Sequence, residues 1–320
     1  MGAIILLAVY QMIIPTPYPV GPVNVYLIKN DPITLIEVGP DTPQASKALE
    51  HMLELLGCRV EDIKRIVVTH SHPDHCGMAE QVARASGAVV HIHPLEESKI
   101  KGKEDFYKER MPFILETGIP EEVLKEVIGE KDQLPEPSLE DISIKLLSGG
   151  ERISFDGGEL RILHLPGHSP GHLCAYEPEQ KLFFSGDFLL PHITPNPLME
   201  PDHEKPGLRL PSLKQYLSGL EVLEKLEVNL VFPGHGGAFN DCGSAINVAR
   251  QHHQEQFTRI IANLQGGERN AYQLCMAIYP GLQKFGISLG LSEIVAHLDY
   301  LVENGNINCS KQQGINYYCL

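Results

Sequence analysis

Residues 67–75 read V-V-T-H-S-H-P-D-H and put His70, His72, Asp74 and His75 within six positions. Neutral imidazole and carboxylate are donors that zinc accepts readily, and iron and manganese accept them too. The run follows residues 66–68, a β-branched stretch expected as a buried strand. Its ligands therefore arrive where a strand gives way to a loop, the usual place for a site. Three further candidates obey the same pattern of apolar strand, small residue, ligand. They are His168 in L-P-G-H-S-P-G-H, Asp187 in F-F-S-G-D and His235 in V-F-P-G-H-G. Seven ligands exceed the needs of one tetrahedral zinc and suit two metals that share a bridging carboxylate. The plain alternative is a solvated loop that happens to be rich in histidine. The density of ligand types after one β-branched run, repeated after three more strands, weighs against it. The chemistry needs no Ser-His-Asp or Cys-His arrangement.

The HxHxDH run with its downstream GH, GD and GH, in that order, resembles the metallo-β-lactamase superfamily. It is most similar to the glyoxalase II-like hydrolases and the β-lactamase-like protein 2 group. The resemblance covers about residues 23–240 and is weakest over a central insertion. It implies a four-layer αββα sandwich and two divalent metal ions, with zinc expected and iron or manganese admitted. By the same resemblance, His70, His72 and His168 would hold the first metal. Asp74, His75 and His235 would hold the second, and Asp187 would bridge them. Asp74 would also exchange a proton with the nucleophile or the leaving group. Two departures stand out. Residues 35–39 read L-I-E-V-G, where many members carry Asp in place of Glu37, and Leu165 stands where many carry Thr. The first bears on the groups behind the ligands, not on the ligands themselves.

Other residues mimic ligands. His172, four after His168, could orient a ligand or contact substrate, or simply start a strand. His91 and His93 alternate on an expected strand and read as structural. His252 and His253 adjoin on an expected helix, where neighbours do not share a face, so they make a poor chelate. His164 and His192 carry no assignment. Cys76 reads as a small packing residue.

The elements that must position these groups are legible in outline. Strands are expected at residues 23–28, 33–38, 66–68, 89–92, 153–155, 160–165, 173–176, 182–185 and 228–232. Thr42 caps an expected helix, with Pro43 at its first position and Gly57 past its end. Further helices are expected near 77–85 and 213–226. Asp156-Gly157 signals a hairpin. The very apolar residues 1–14 read as a buried first strand; a signal peptide would want a basic start and a small-residue cleavage site. Residues 95–138 read as a helical insertion over one edge of the core. From residue 244 the pattern turns helical and closes on a two-stranded hairpin at 307–309 and 315–319. That suggests a winged-helix-like tail, also similar to the β-lactamase-like protein 2 group. The expected division is a catalytic domain over 1–243 and a winged-helix-like domain over 244–320.

The 320 residues carry a formal charge of −15. An acidic chain repels phosphate backbones unless a basic patch overrides it. Residues 241–320 hold five Lys and Arg against six Asp and Glu, so the tail supplies no such patch. A small acyl substrate (thioester, lactone or ester) is therefore the expected partner of a metal-dependent hydrolase. A nuclease or phosphodiesterase, and an iron-dependent oxidoreductase, are the alternatives. Neither nucleic acid nor membrane is expected as a partner, and a homodimer is compatible with the tail. Seven cysteines with no CxxC pair point to a reducing cytoplasm.

Overall fold

The computed structural model describes residues 6–103, 106–131 and 142–320. Two sheets carry the ligands. The first has six strands in the order β1 (Val9–Ile14), β2 (Val23–Ile28), β3 (Thr34–Ile36), β4 (Arg65–Val67), β5 (Val89–Ile92) and β6 (Ile144–Leu146). The second runs, from one edge to the other, β11 (Leu230–Pro233), β10 (Leu182–Gly186), β9 (Leu173–Glu177), β8 (Gly158–His164) and β7 (Arg152–Phe155).

Side-chain alternation sorts these strands into four layers. On β2, Val23, Val25 and Leu27 face outward onto α1 (Pro43–Leu55) and α3 (Ala79–Ser86), packing with Leu49, Leu53 and Val82. Tyr26 and Ile28 face inward and meet Ile162, Phe184 and Phe232 of the second sheet. On the far side Cys174, Tyr176 and Phe183 pack against α7 (Ser212–Leu223) and the start of α8 (Cys242–Leu264) through Tyr216, Leu220 and Ile246. The order is helices, sheet, sheet, helices, the αββα sandwich that the sequence suggests.

Local chemistry explains the joints. The Thr42 side chain accepts from the Ala45 amide, so α1 is capped as expected. Phe155 pairs with Gly158 across Asp156-Gly157, with Gly157 at φ +91, the conformation a tight hairpin needs.

Three expectations change. The N-terminal strand is the edge of its sheet, and of β1 only Met12 and Ile14 are buried. The expected insertion comprises α4 (Pro94–Ile100), α5 (Phe106–Glu116) and α6 (Glu121–Lys131), while residues 132–138 lie outside the described residues. Phe113, Ile114, Leu124 and Val127 of α5 and α6 do not cover a sheet edge. They form one core with Ile260 of α8, Leu274 of α9 (Ala271–Ile278) and Ile294 and Leu298 of α10 (Phe285–Glu303). Finally, the terminal hairpin is β13 (Asn308–Gln312) with β14 (Ile315–Cys319), and a two-residue strand β12 (Arg269–Asn270) adds a third strand on the other side of β14.

Candidate metal centre

Four strands deliver the seven candidate ligands to one end of the sandwich. β4 leads into His70, His72, Asp74 and His75, the last two on the short helix α2 (Pro73–Cys76). β8 leads to His168, β10 to Asp187 and β11 to His235. Backbone bonds lock these ends together. Gly234 N donates to Gly186 O at 2.7 Å, Leu173 N to Thr69 O at 2.8 Å, and Asn24 N to Gly234 O at 2.7 Å. Glycine before His235 is a steric necessity. A Cβ at Gly234 would lie 2.2 Å from Asp187 Oδ1 and 2.8 Å from His75 Cε1.

The ligands converge as two triads. His70 Nε2 lies 2.8 Å and His168 Nε2 3.1 Å from His72 Nδ1. In the second group Asp74 Oδ2 lies 3.3 Å from His235 Nε2 and 3.8 Å from His75 Nε2. Asp187 stands between them. Its Oδ2 is 3.4 Å from His75 Nε2, 3.7 Å from His168 Nε2 and 3.7 Å from His235 Nε2. His75 Nε2, His235 Nε2 and Asp187 Oδ1 are buried with no hydrogen-bond partner. Buried polar atoms normally have one, so this donor set fits cations better than it fits its own company.

The charges agree. Burial, then neighbouring imidazoles, hold His70 well below the usual histidine range and His72 down to about 3. Burial would push Asp187 up, but His75, His235 and His168 outweigh it and hold the carboxyl well below its usual range. Burial would likewise lower His75, yet Asp187, Asp74 and Glu37 carry it well above. The carboxylates demand positive charge at this spot, and a cation would supply it.

The groups behind the ligands fix their orientation. His168 Nδ1 donates to Asn196 O at 3.0 Å and His235 Nδ1 to Pro22 O at 2.8 Å. Glu37, 1% exposed, accepts from Thr69 N at 3.2 Å and brings Oε1 to 3.5 Å from His75 Nδ1. It does so at φ +65, a conformation non-glycine residues seldom adopt. With its Oε1 turned to the Thr69 amide, Glu37 reads as support and not as a ligand.

The remaining histidines separate clearly. His172 Nε2 accepts from Asp187 N at 3.1 Å, and its ring stacks on His70 with centroids 5.0 Å apart. It orients the ligands and is 0% exposed. His93 caps α4 by accepting from Leu95 N and stacks on His164, while His91 Nδ1 meets the Val89 carbonyl. His192 is exposed. His252 and His253 come within reach of Glu293 despite being adjacent on α8. Within that group His252 Nε2 meets Glu293 Oε1 at 3.1 Å, while His253 Nδ1 turns to His297 Nε2 at 3.0 Å. Cys76 is fully buried, its Sγ donating to Ser71 O. Sequence reasoning missed Thr69, Glu37's backbone and Glu96, because none belongs to a ligand pattern.

The model of a family described as the metallo-β-lactamase superfamily matches residues 18–235. The probable metallo-hydrolase YqjP of Bacillus subtilis is 28% identical over 297 residues, 90% of each chain. The hydroxyacylglutathione hydrolase GloC of Haemophilus influenzae is 32% identical over 129 residues, 40% of this chain and 50% of that one. The crystal structure of a metallo-β-lactamase family protein from Thermus thermophilus superposes with a TM-score of 0.81 at 28% identity. The match covers 97% of this chain and 98% of that one.

Proposed function

The chain belongs to the metallo-β-lactamase superfamily, and from that premise we propose that it is a dinuclear, metal-dependent hydrolase of small acyl substrates such as thioesters, lactones or esters. The observation that carries the reading is the position of Asp187 Oδ2, within 3.4–3.7 Å of histidines from both triads. One carboxylate oxygen facing two ligand sets is what a bridging ligand requires.

His70, His72 and His168 would hold one cation and Asp74, His75 and His235 the other, with zinc the expected metal. Cations held by these residues would supply Lewis acidity, lowering the pKa of water toward neutral and drawing charge from a substrate carbonyl. The protein's own work is orientation and proton handling. Burial would raise Asp74, but His75 and His235 outweigh it and keep the group ionised. Asp74 can therefore take the proton of the attacking water and return it to the departing thiolate or alkoxide. Half-buried His72 marks the more open side of the centre.

Support for an acyl substrate comes from the name of the Haemophilus relative, a hydrolase of hydroxyacylglutathione, and from the acidic chain. Residues 1–243 would form the catalytic domain. Residues 244–320, whose helices end in the β13–β14 hairpin, would form a winged-helix-like domain that packs on it. A cytoplasmic location and the absence of nucleic-acid and membrane partners belong to the same reading. Among the described residues α10 alone is long and apolar enough to cross a membrane, and it lies in the core with α6, α8 and α9.

The test is hydrolysis of a panel of acyl thioesters and lactones by zinc-loaded protein, with RNA alongside. Turnover of an acyl substrate that is lost in Asp74→Asn is expected. Cleavage of RNA without any acyl turnover would reverse the assignment.

A further inference from the structure

Glu96 touches no candidate ligand, yet its side chain is 0% exposed. It comes from α4, outside both sheets. Ser71 Oγ donates to its Oε2 at 2.5 Å, and Gly171 N donates to its Oε1 at 2.7 Å. Ser71 sits between His70 and His72. Gly171 sits in the turn that carries His168 and His172. Each oxygen thus holds one of the two loops that build the first triad. The fit is close: a Cβ at Gly171 would lie 2.7 Å from Glu96 Cγ.

A carboxylate buried this deeply is costly unless paired and hydrogen-bonded, and an apolar side chain of similar size would fill the space at less cost. Lys99 Nζ stands 3.9 Å from Glu96 and 3.1 Å from Glu200, which also pairs with buried Arg110. The charges are therefore maintained as a set reaching from α5 to the metal loops. The second triad has other supports, namely Glu37 behind His75 and Pro22 O behind His235.

We propose that Glu96 is a positioning residue that cross-ties the His70–His72 loop to the His168 turn, and so sets the affinity of the first metal site without setting that of the second. The proposal rests on the dinuclear reading above. In the first triad His70 Nε2 lies 2.8 Å and His168 Nε2 3.1 Å from His72 Nδ1. Small shifts between their two loops would spoil that spacing while Asp74, His75 and His235 stayed in place.

The experiment is zinc titration of metal-stripped, full-length protein against a chromophoric chelator. His168→Ala and His235→Ala identify which binding step belongs to which triad. Glu96→Ala should weaken the His168-dependent step about 10–100-fold and leave the His235-dependent step unchanged. Ser71→Ala, which removes one tie, should weaken the same step by less. Glu96→Gln keeps the shape and an acceptor for Gly171 N, and should restore most of the affinity. Equal weakening of both steps, as a general loosening would give, or no weakening of either, overturns the proposal. Should Glu96→Ala fail to fold, an unchanged first step in Ser71→Ala overturns it. Wild type that binds only one zinc would instead bring down the dinuclear reading, and this proposal with it.

Discussion

At the scale of residues, the account turns on atoms a few ångströms apart. Gly234 is not in the left-handed region, so alanine is excluded there by contact, with Asp187 Oδ1 at 2.2 Å and His75 Cε1 at 2.8 Å. Gly234→Ala is expected to lower zinc affinity at least tenfold while the metal-free protein keeps its Tm to within a few degrees. Chelator competition and a thermal melt check both halves. Glu37 makes a different case. It spends backbone strain at φ +65 to place one carboxylate against Thr69 N and beside His75. Glu37→Ala relieves nothing, since alanine is no freer at that φ, and removes the guide behind His75. A loss of about 10–100-fold in metal affinity is expected, confined to the His235-dependent step. An unchanged second step would show that Glu37 serves folding alone. All seven candidate ligands were readable in the sequence, because each follows an apolar strand and sits beside a small residue. Glu37's backbone, Glu96 and the role of His172 were not, because each depends on a partner far away in the chain.

At the scale of elements, the periodic segments were the legible ones. In the sequence Leu291, Ile294, Val295, Leu298, Leu301 and Val302 form an apolar stripe at helical spacing; it marks α10, where all of them are buried except Val302, which is exposed. What could not be read was which element covers which. β1 looks like a core strand by composition but lies at an edge, and β12 is two residues long, below the reach of any pattern. The junction of α8 with α10 is a case in point. His253, 1% exposed, bonds His297, and burial followed by its two histidine neighbours pushes it down to about 2. Its folded value lies below the unfolded value of about 6.5, so the unfolded chain binds the proton more readily. Stability at this junction is therefore present above pH 6.5 and is lost as pH falls below it, by about 1.4 kcal/mol per pH unit. His253→Gln should be less stable than wild type at pH 8, and that deficit should shrink at pH 5. Melts of metal-stripped protein at the two pH values test this, and a deficit that does not change with pH would contradict it.

At the scale of the whole molecule, the C-terminal helices are fastened to the loop behind His168. Asn196 presents its carbonyl to His168 and its side-chain amide to Leu289 O at 2.8 Å. Met199 N donates to Ser292 Oγ, and Arg209 forks onto Asp299 while reaching Glu116 at 3.1 Å. The insertion and the tail thus meet in one core that borders the centre. Arg209→Ala should lower stability by about 2 kcal/mol, the scale of hydrogen bonds to charged groups, and should raise protease sensitivity within 244–320 first. Limited proteolysis that begins instead in the two-sheet sandwich would argue against this coupling.

The most direct test of the central claim is the metal content of purified, untagged wild type beside Asp187→Ala and His168→Ala. About two metal ions per chain, reduced in both variants, is the predicted result. Folded wild type that takes up no metal under excess zinc would contradict it.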